Sequence, residues 1–151
     1  MKPEKINIAI VGFGNIGSYF YKVLEKNKKN ILIKTGKIPF VKYISAKNIK
    51  KKRQTKIPRS KWIKNSISLA SKNDIDVIVE LIGGSEGAAK KLIFSALKNG
   101  KHVITANKAL KDNYSHIIQI SIVVYTIIIV LDNFNSLPFF SWCGEHEHVT
   151  I

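Results

Sequence analysis

Apolar and polar positions along this chain fall into short continuous runs that alternate with helical stripes. Residues 6–11 (I-N-I-A-I-V) are apolar apart from Asn7. Such a run suits a strand buried on both faces of a parallel sheet. Residues 15–27 carry an apolar stripe of Ile16, Phe20, Val23 and Leu24, with Glu25, Lys26 and Lys28 facing water, which predicts an amphipathic helix broken at 27–30. Between 30 and 36 a helical extension capped by Gly36 is preferred over a strand at 31–33. The second strand then falls at 39–45 (P-F-V-K-Y-I-S), on its aromatic and β-branched content. Residues 46–64 are polar and basic with Pro58 as a breaker, and read as a surface excursion with a short helix around 49–53. A second short helix is expected at 66–71.

Residues 75–82 (I-D-V-I-V-E-L-I) form the clearest strand, ended by Gly83-Gly84. Ser85 is placed as the N-cap of the next helix, with Glu86 in its first turn. That helix runs to Lys98, with Ala89, Leu92, Ile93, Ala96 and Leu97 on its buried face, and Asn99-Gly100 ends it. Residues 101–105 are a last short strand. The alternation of strands and helices predicts an α/β fold, a Rossmann-like parallel sheet with crossover helices, and ligands then bind at the carboxyl ends of the strands. Residues 12–17, 45–47, 83–84 and 105–108 are thereby expected on one edge.

The stretch from Lys5 to Gly17 organises this pattern. An apolar run ends in Gly12, Gly14 and Gly17, directly before an amphipathic helix. This is the form of a turn that holds a dinucleotide pyrophosphate: one glycine for the sharp turn, one for close backbone approach to phosphate, one for helix–strand packing. The helix N-terminus adds unpaired N–H groups and partial positive charge.

Composition changes the picture in two places. The chain has 151 residues and a formal charge of +15, which would ordinarily point to nucleic acid or acidic membrane. Most of the basic residues are Lys, in a Lys-, Ile- and Asn-rich chain, which AT-rich coding produces equally well. The basic stretch 47–64 has only Trp62 as a stacking group and no recognisable reading motif, so nucleic acid is not expected as a partner. A single cysteine, Cys143, and no secretory pattern at the start fit a reducing, cytoplasmic setting. His146-Glu147-His148 near Cys143 is read as a solvated tail, and no metal site is expected.

The second strand decides the choice of dinucleotide. An Asp or Glu near its end would hold a ribose 2′-hydroxyl, yet no acid occurs between Glu25 and Asp74. Lys47 and Arg53 follow instead and would attract a 2′-phosphate, with a hydrogen bond from Ser45. NADP is therefore expected over NAD.

With these pieces placed, the chain resembles the N-terminal part of homoserine dehydrogenase. The likeness rests on I-A-I-V-G-F-G-N-I-G (8–17), I-S-A-K-N (44–48), D-V-I-V-E-L-I-G-G (76–84) and H-V-I-T-A-N-K-A-L (102–110), and covers about residues 5–111. It implies NAD(P)H-dependent interconversion of aspartate 4-semialdehyde and homoserine, on the threonine and methionine branch of amino-acid biosynthesis. It further implies pyrophosphate contacts at Gly12, Phe13, Gly14, Asn15, Ile16 and Gly17. Lys47 would face the 2′-phosphate, and Gly83, Thr105 and Ala106 the nicotinamide side. Lys108 would contact cofactor or substrate at the hydride-transfer centre, where an ammonium can stabilise a developing oxyanion or help transfer its proton. A homodimer is implied, built largely from parts that this sequence does not contain.

After Lys111 the likeness fails, and no counterpart of the family's substrate domain is found. Residues 1–112 hold all 25 Lys and Arg, and residues 113–151 hold none. Residues 113–131 carry no charge over 19 positions. Three readings of 112–151 are open: foreign sequence from a frameshift or aberrant truncation, which explains the simultaneous changes best; buried strands; or a membrane span. Two alternatives to a dehydrogenase stand beside the main reading, a non-catalytic NADP-binding module and, less favoured, a basic nucleic-acid-binding protein.

Overall fold

A computed structural model describes residues 3–82 and 87–106. Its elements are β1 (Glu4–Val11), α1 (Asn15–Thr35), β2 (Lys37–Ser45), two 3-10 turns (Arg59–Lys61 and Ile67–Ser71), β3 (Val77–Glu80), α2 (Ala88–Lys98) and β4 (His102–Thr105). The four strands form one sheet in the order β2-β1-β3-β4, and every pairing is parallel. Chain order reverses between β1 and β3, so the carboxyl end of β1 opens onto a switch point, where open α/β sheets bind ligands.

The core lies on both faces of β1, which explains its unbroken apolar run. Ile6, Ile8 and Ile10 pack with Leu24 and Ile31 of α1. Ala9 and Val11 pack with Leu92, Ile93 and Ala96 of α2 and with Leu69 of the second 3-10 turn. The same alternation divides β3, with Val77 and Val79 on the α1 side and Ile78 on the α2 side. Each large apolar side chain so buried stabilises the fold by about 1.5–3 kcal/mol.

Four local expectations are corrected. First, α1 is continuous through 27–30 rather than broken. Asn27 is buried at 7% exposure, and its side-chain amide donates to the Val23 carbonyl at 2.8 Å, so the helix interior satisfies it. The helix ends at Gly36, whose φ of +70° lets its N–H donate to the Leu32 carbonyl. Second, Ile16 is 52% exposed and does not belong to the buried stripe. Third, no helix forms at 49–53; a turn stands there, closed by Arg53 as described below. The strand that was expected to begin at Pro39 begins at Lys37. The proline is tolerated because, among the described residues, β2 lies at the edge of the sheet.

Helix α2 begins at Ala88 with Gly87, rather than the expected Ser85, as its N-cap, and no acid stands in its first turn. Residues 83–86 and 107–151 lie outside the described residues, and the three readings of 112–151 lie there with them. Among the described residues no helix is long and apolar enough to cross a membrane.

Candidate dinucleotide site

The strand ends are tied together around Gly12. Its N–H donates to the Ser45 carbonyl at 2.9 Å, which joins the exits of β1 and β2. The Leu81 N–H donates to the Val11 carbonyl at 2.7 Å and the Ala106 N–H to the Glu80 carbonyl at 3.2 Å, which carry the same alignment to β3 and β4.

The three glycines separate by physical role. Gly12 has φ +104°, and a Cβ there would lie 2.4 Å from the Leu81 backbone. A Cβ on Gly17 would lie 2.2 Å from the Gly12 carbonyl oxygen. Both positions are closed by the protein's own backbone. Gly14 differs: its backbone is extended and nothing stands within 4 Å of the position a Cβ would take. The fold leaves this space open, which suits a group that comes close to the main chain.

Gly14 caps α1, and its carbonyl accepts the first intrahelical bond, from the Ser18 N–H at 3.0 Å. The N–H groups of Asn15, Ile16 and Gly17 therefore precede the helical ladder, and no acidic side chain occupies the first turn. A cleft of about 380 Å³ lies beside them. Gly14, Asn15, Ser18, Tyr19 and Lys22 form one wall, and residues 51–55 the other. The open Gly14 face, the unladdered N–H groups and the cationic wall fit a pyrophosphate. Ser18, Tyr19 and Lys22 were not singled out in the sequence, although they repeat three, four and seven residues after Asn15 and so share its helix face.

Phe13 is buried at 2% exposure and makes edge contacts with Tyr21 and Trp62, at 5.9 and 5.6 Å between ring centroids. It therefore presents backbone, not its ring, to the cleft. Burial, with the nearby Glu25 charge, pushes the Tyr21 phenol above its ordinary value. Burial also lowers the Lys61 ammonium, which stands over the Phe40 ring, against the opposing pull of Glu25.

Of the residues expected to meet a 2′-phosphate, Ser45 is buried and Lys47 is exposed just past β2. Arg53 is placed otherwise than expected: its guanidinium donates to four main-chain carbonyls. On the other side, Thr105 ends β4 and Ala106 follows it, exposed. Glu80, not among the candidate site residues, is fully buried there. Its carboxylate accepts from the Ile82 N–H and from the Thr105 hydroxyl, each at 2.6 Å, and so locks the exits of β3 and β4 together. An acid set between apolar neighbours near the end of the run at 75–82 was the available signal. Gly83 and Lys108 lie outside the described residues. No group of three or more metal-ligating side chains occurs among the described residues.

A parallel sheet whose strand order reverses beside a glycine turn and a helix N-terminus defines a Rossmann-type dinucleotide-binding domain. Comparison with known proteins narrows the class. Residues 12–121 match the family described as homoserine dehydrogenase, NAD binding domain, and the chain belongs to that family. The match supports a nicotinamide cofactor.

Homoserine dehydrogenase of Pseudomonas aeruginosa is 39% identical over 110 residues, 73% of this chain and 24% of that protein. The Neisseria gonorrhoeae enzyme is 36% identical over 116 residues, 77% of this chain and 26% of the relative. Among solved structures, Staphylococcus aureus homoserine dehydrogenase superposes with a TM-score of 0.66 at 32% identity, over 76% of this chain and 31% of its own. The Thiobacillus denitrificans enzyme gives 0.66 at 30% identity, over 76% of this chain and 26% of its own. Levoglucosan dehydrogenase in complex with NADH, at 16% identity and a TM-score of 0.53, shares the fold. The chain spans about a quarter of the length of the curated relatives it matches.

Proposed function

We propose that this chain is the cofactor-binding part of a homoserine dehydrogenase-type oxidoreductase and that it binds NADP(H) in preference to NAD(H). The observation that carries the reading is the glycine turn, in which Gly12 and Gly17 are closed by backbone while Gly14 faces open space at the head of α1. The pyrophosphate takes the N–H groups of the first turn, at Asn15, Ile16 and Gly17, and lies against Gly14. Lys47, just past the end of β2 in a stretch with no acid between Glu25 and Asp74, meets the 2′-phosphate. A bound nicotinamide supplies the hydride donor or acceptor.

On the opposite side of the edge, Glu80 and Thr105 hold the backbone at the exits of β3 and β4. Thr105 and Ala106 thereby border the nicotinamide. Gly83 and Lys108 are assigned to the same chemistry from their sequence motifs alone, Lys108 as the cation that stabilises the developing oxyanion. The reaction so served is the interconversion of aspartate 4-semialdehyde and homoserine, with the dimeric, cytoplasmic setting of a biosynthetic enzyme.

Calorimetric titration of the full chain with NADPH and with NADH tests this. NADPH is expected to bind well over tenfold more tightly, and Lys47→Ala to remove most of the difference while leaving NADH unchanged. Equal affinity overturns the NADP assignment, and failure of both to bind overturns the function. An assay with aspartate 4-semialdehyde then separates an active dehydrogenase from a dinucleotide-binding module without turnover of its own.

A further inference from the structure

Arg53 reaches from the basic excursion after β2 back to the glycine turn. Its Nε–H donates to the Phe13 carbonyl at 3.0 Å. One terminal nitrogen donates to the Ile49 and Lys51 carbonyls at 3.1 and 2.9 Å, and the other to the Asn48 carbonyl at 2.6 Å. The guanidinium lies 4.9 Å from the centre of the Trp62 ring and 6.0 Å from that of Phe13. Trp62 is itself pinned, paired with Ile44 of β2 and edge-on to Phe13. Of the five N–H donors an arginine carries, four are thus committed to main-chain oxygens.

A guanidinium so engaged has little left for a phosphate. What it does is fold residues 48–53 into a turn and fasten that turn to the carbonyl between Gly12 and Gly14. The segment it fastens forms the second wall of the cleft and carries Lys51 and Lys52, opposite Lys22 on α1. We infer that Arg53 is a positioning residue: it clamps the cationic loop of residues 48–55 to the glycine turn, so that Lys51 and Lys52 face an anionic dinucleotide held at the N-terminus of α1. The inference rests on the proposed dinucleotide function. A lysine cannot replace the clamp, because a single ammonium cannot span four carbonyls spread over two segments.

The experiment compares wild type, Arg53→Lys, Arg53→Ala and the Lys51→Ala/Lys52→Ala double variant, each as the full chain. Dissociation constants for NADPH and NADH are measured together with Trp62 fluorescence in a Trp142→Phe background. The clamp predicts that Arg53→Lys, which keeps the charge, weakens both dinucleotides by about tenfold, as Arg53→Ala does, and that both shift Trp62 emission. The double variant is expected to weaken binding with Trp62 emission unchanged. The inference is overturned if Arg53→Lys binds both dinucleotides like wild type, or if Arg53→Ala loses NADPH alone, which is the mark of direct 2′-phosphate contact. Wild type that binds neither dinucleotide overturns the proposed function instead, while normal wild-type binding with an indifferent Arg53→Lys overturns the clamp alone.

Discussion

The carbonyl oxygen of Gly12 stands 2.2 Å from where a Cβ on Gly17 would have to be. Helix α1 therefore sits against the end of β1 at backbone distance, which no side chain at 17 permits. Gly12 is closed in the same way by the Leu81 backbone and also has a positive φ. Gly17→Ala and Gly12→Ala are each expected to destabilise the fold by about 2 kcal/mol or more, read as a fall in urea midpoint.

Glu80 joins the two strand exits on the far side of the site. Glu80→Ala takes the acceptor from both the Ile82 N–H and the Thr105 hydroxyl in a fully buried place. A loss on the order of 2–4 kcal/mol is expected in equilibrium unfolding. Glu80→Gln is expected to lose much less, since its amide oxygen still accepts from the Ile82 N–H and its NH₂ donates to the Thr105 oxygen. Equal losses for both variants would contradict the assignment of these bonds.

Asp74 gives an acid-limb prediction. The Tyr43 hydroxyl donates to it at 2.8 Å and the Lys42 ammonium lies 3.0 Å away, and these bonds hold the carboxyl below its ordinary value of 3.8. The unfolded chain then binds more protons than the native one in this window. The contribution is present above the ordinary value and is lost as pH falls through the lowered one. The group is exposed, so the effect is small and salt-sensitive. Asp74→Asn and Tyr43→Phe are each expected to flatten the fall in stability below about pH 4 and to leave its slope near neutrality unchanged.

Much of this fold was legible because burial on two faces writes a continuous apolar run. β1 and β3 were found that way, and α2 by its period of Ala89, Leu92, Ile93 and Ala96. The glycine turn was legible because its backbone demands are local. What was not legible depends on partners distant in sequence or on interior satisfaction of polar groups. Asn27 looked like a helix break, yet the Val23 carbonyl accepts its amide. Arg53 looked like a phosphate ligand, because the carbonyl of Phe13, forty residues earlier, is invisible in the spacing of basic residues. Lys51 and Lys52 looked like solvated surface until the turn at 48–53 placed them along the cleft.

Gly14 separates binding from folding. Its extended backbone suits any residue and its Cβ position is open, so Gly14→Ala is expected to change stability by no more than about 0.5 kcal/mol. The added methyl would nevertheless occupy the space in which the pyrophosphate approaches the main chain. Calorimetric titration of NADPH into wild type and Gly14→Ala, with unfolding curves on the same samples, tests the central claim most directly. Saturable binding to wild type is expected, with at least about tenfold weaker binding to an equally stable Gly14→Ala, since about 1.4 kcal/mol of lost contact suffices for that factor. No binding to wild type, or identical affinity in the two proteins, would contradict it.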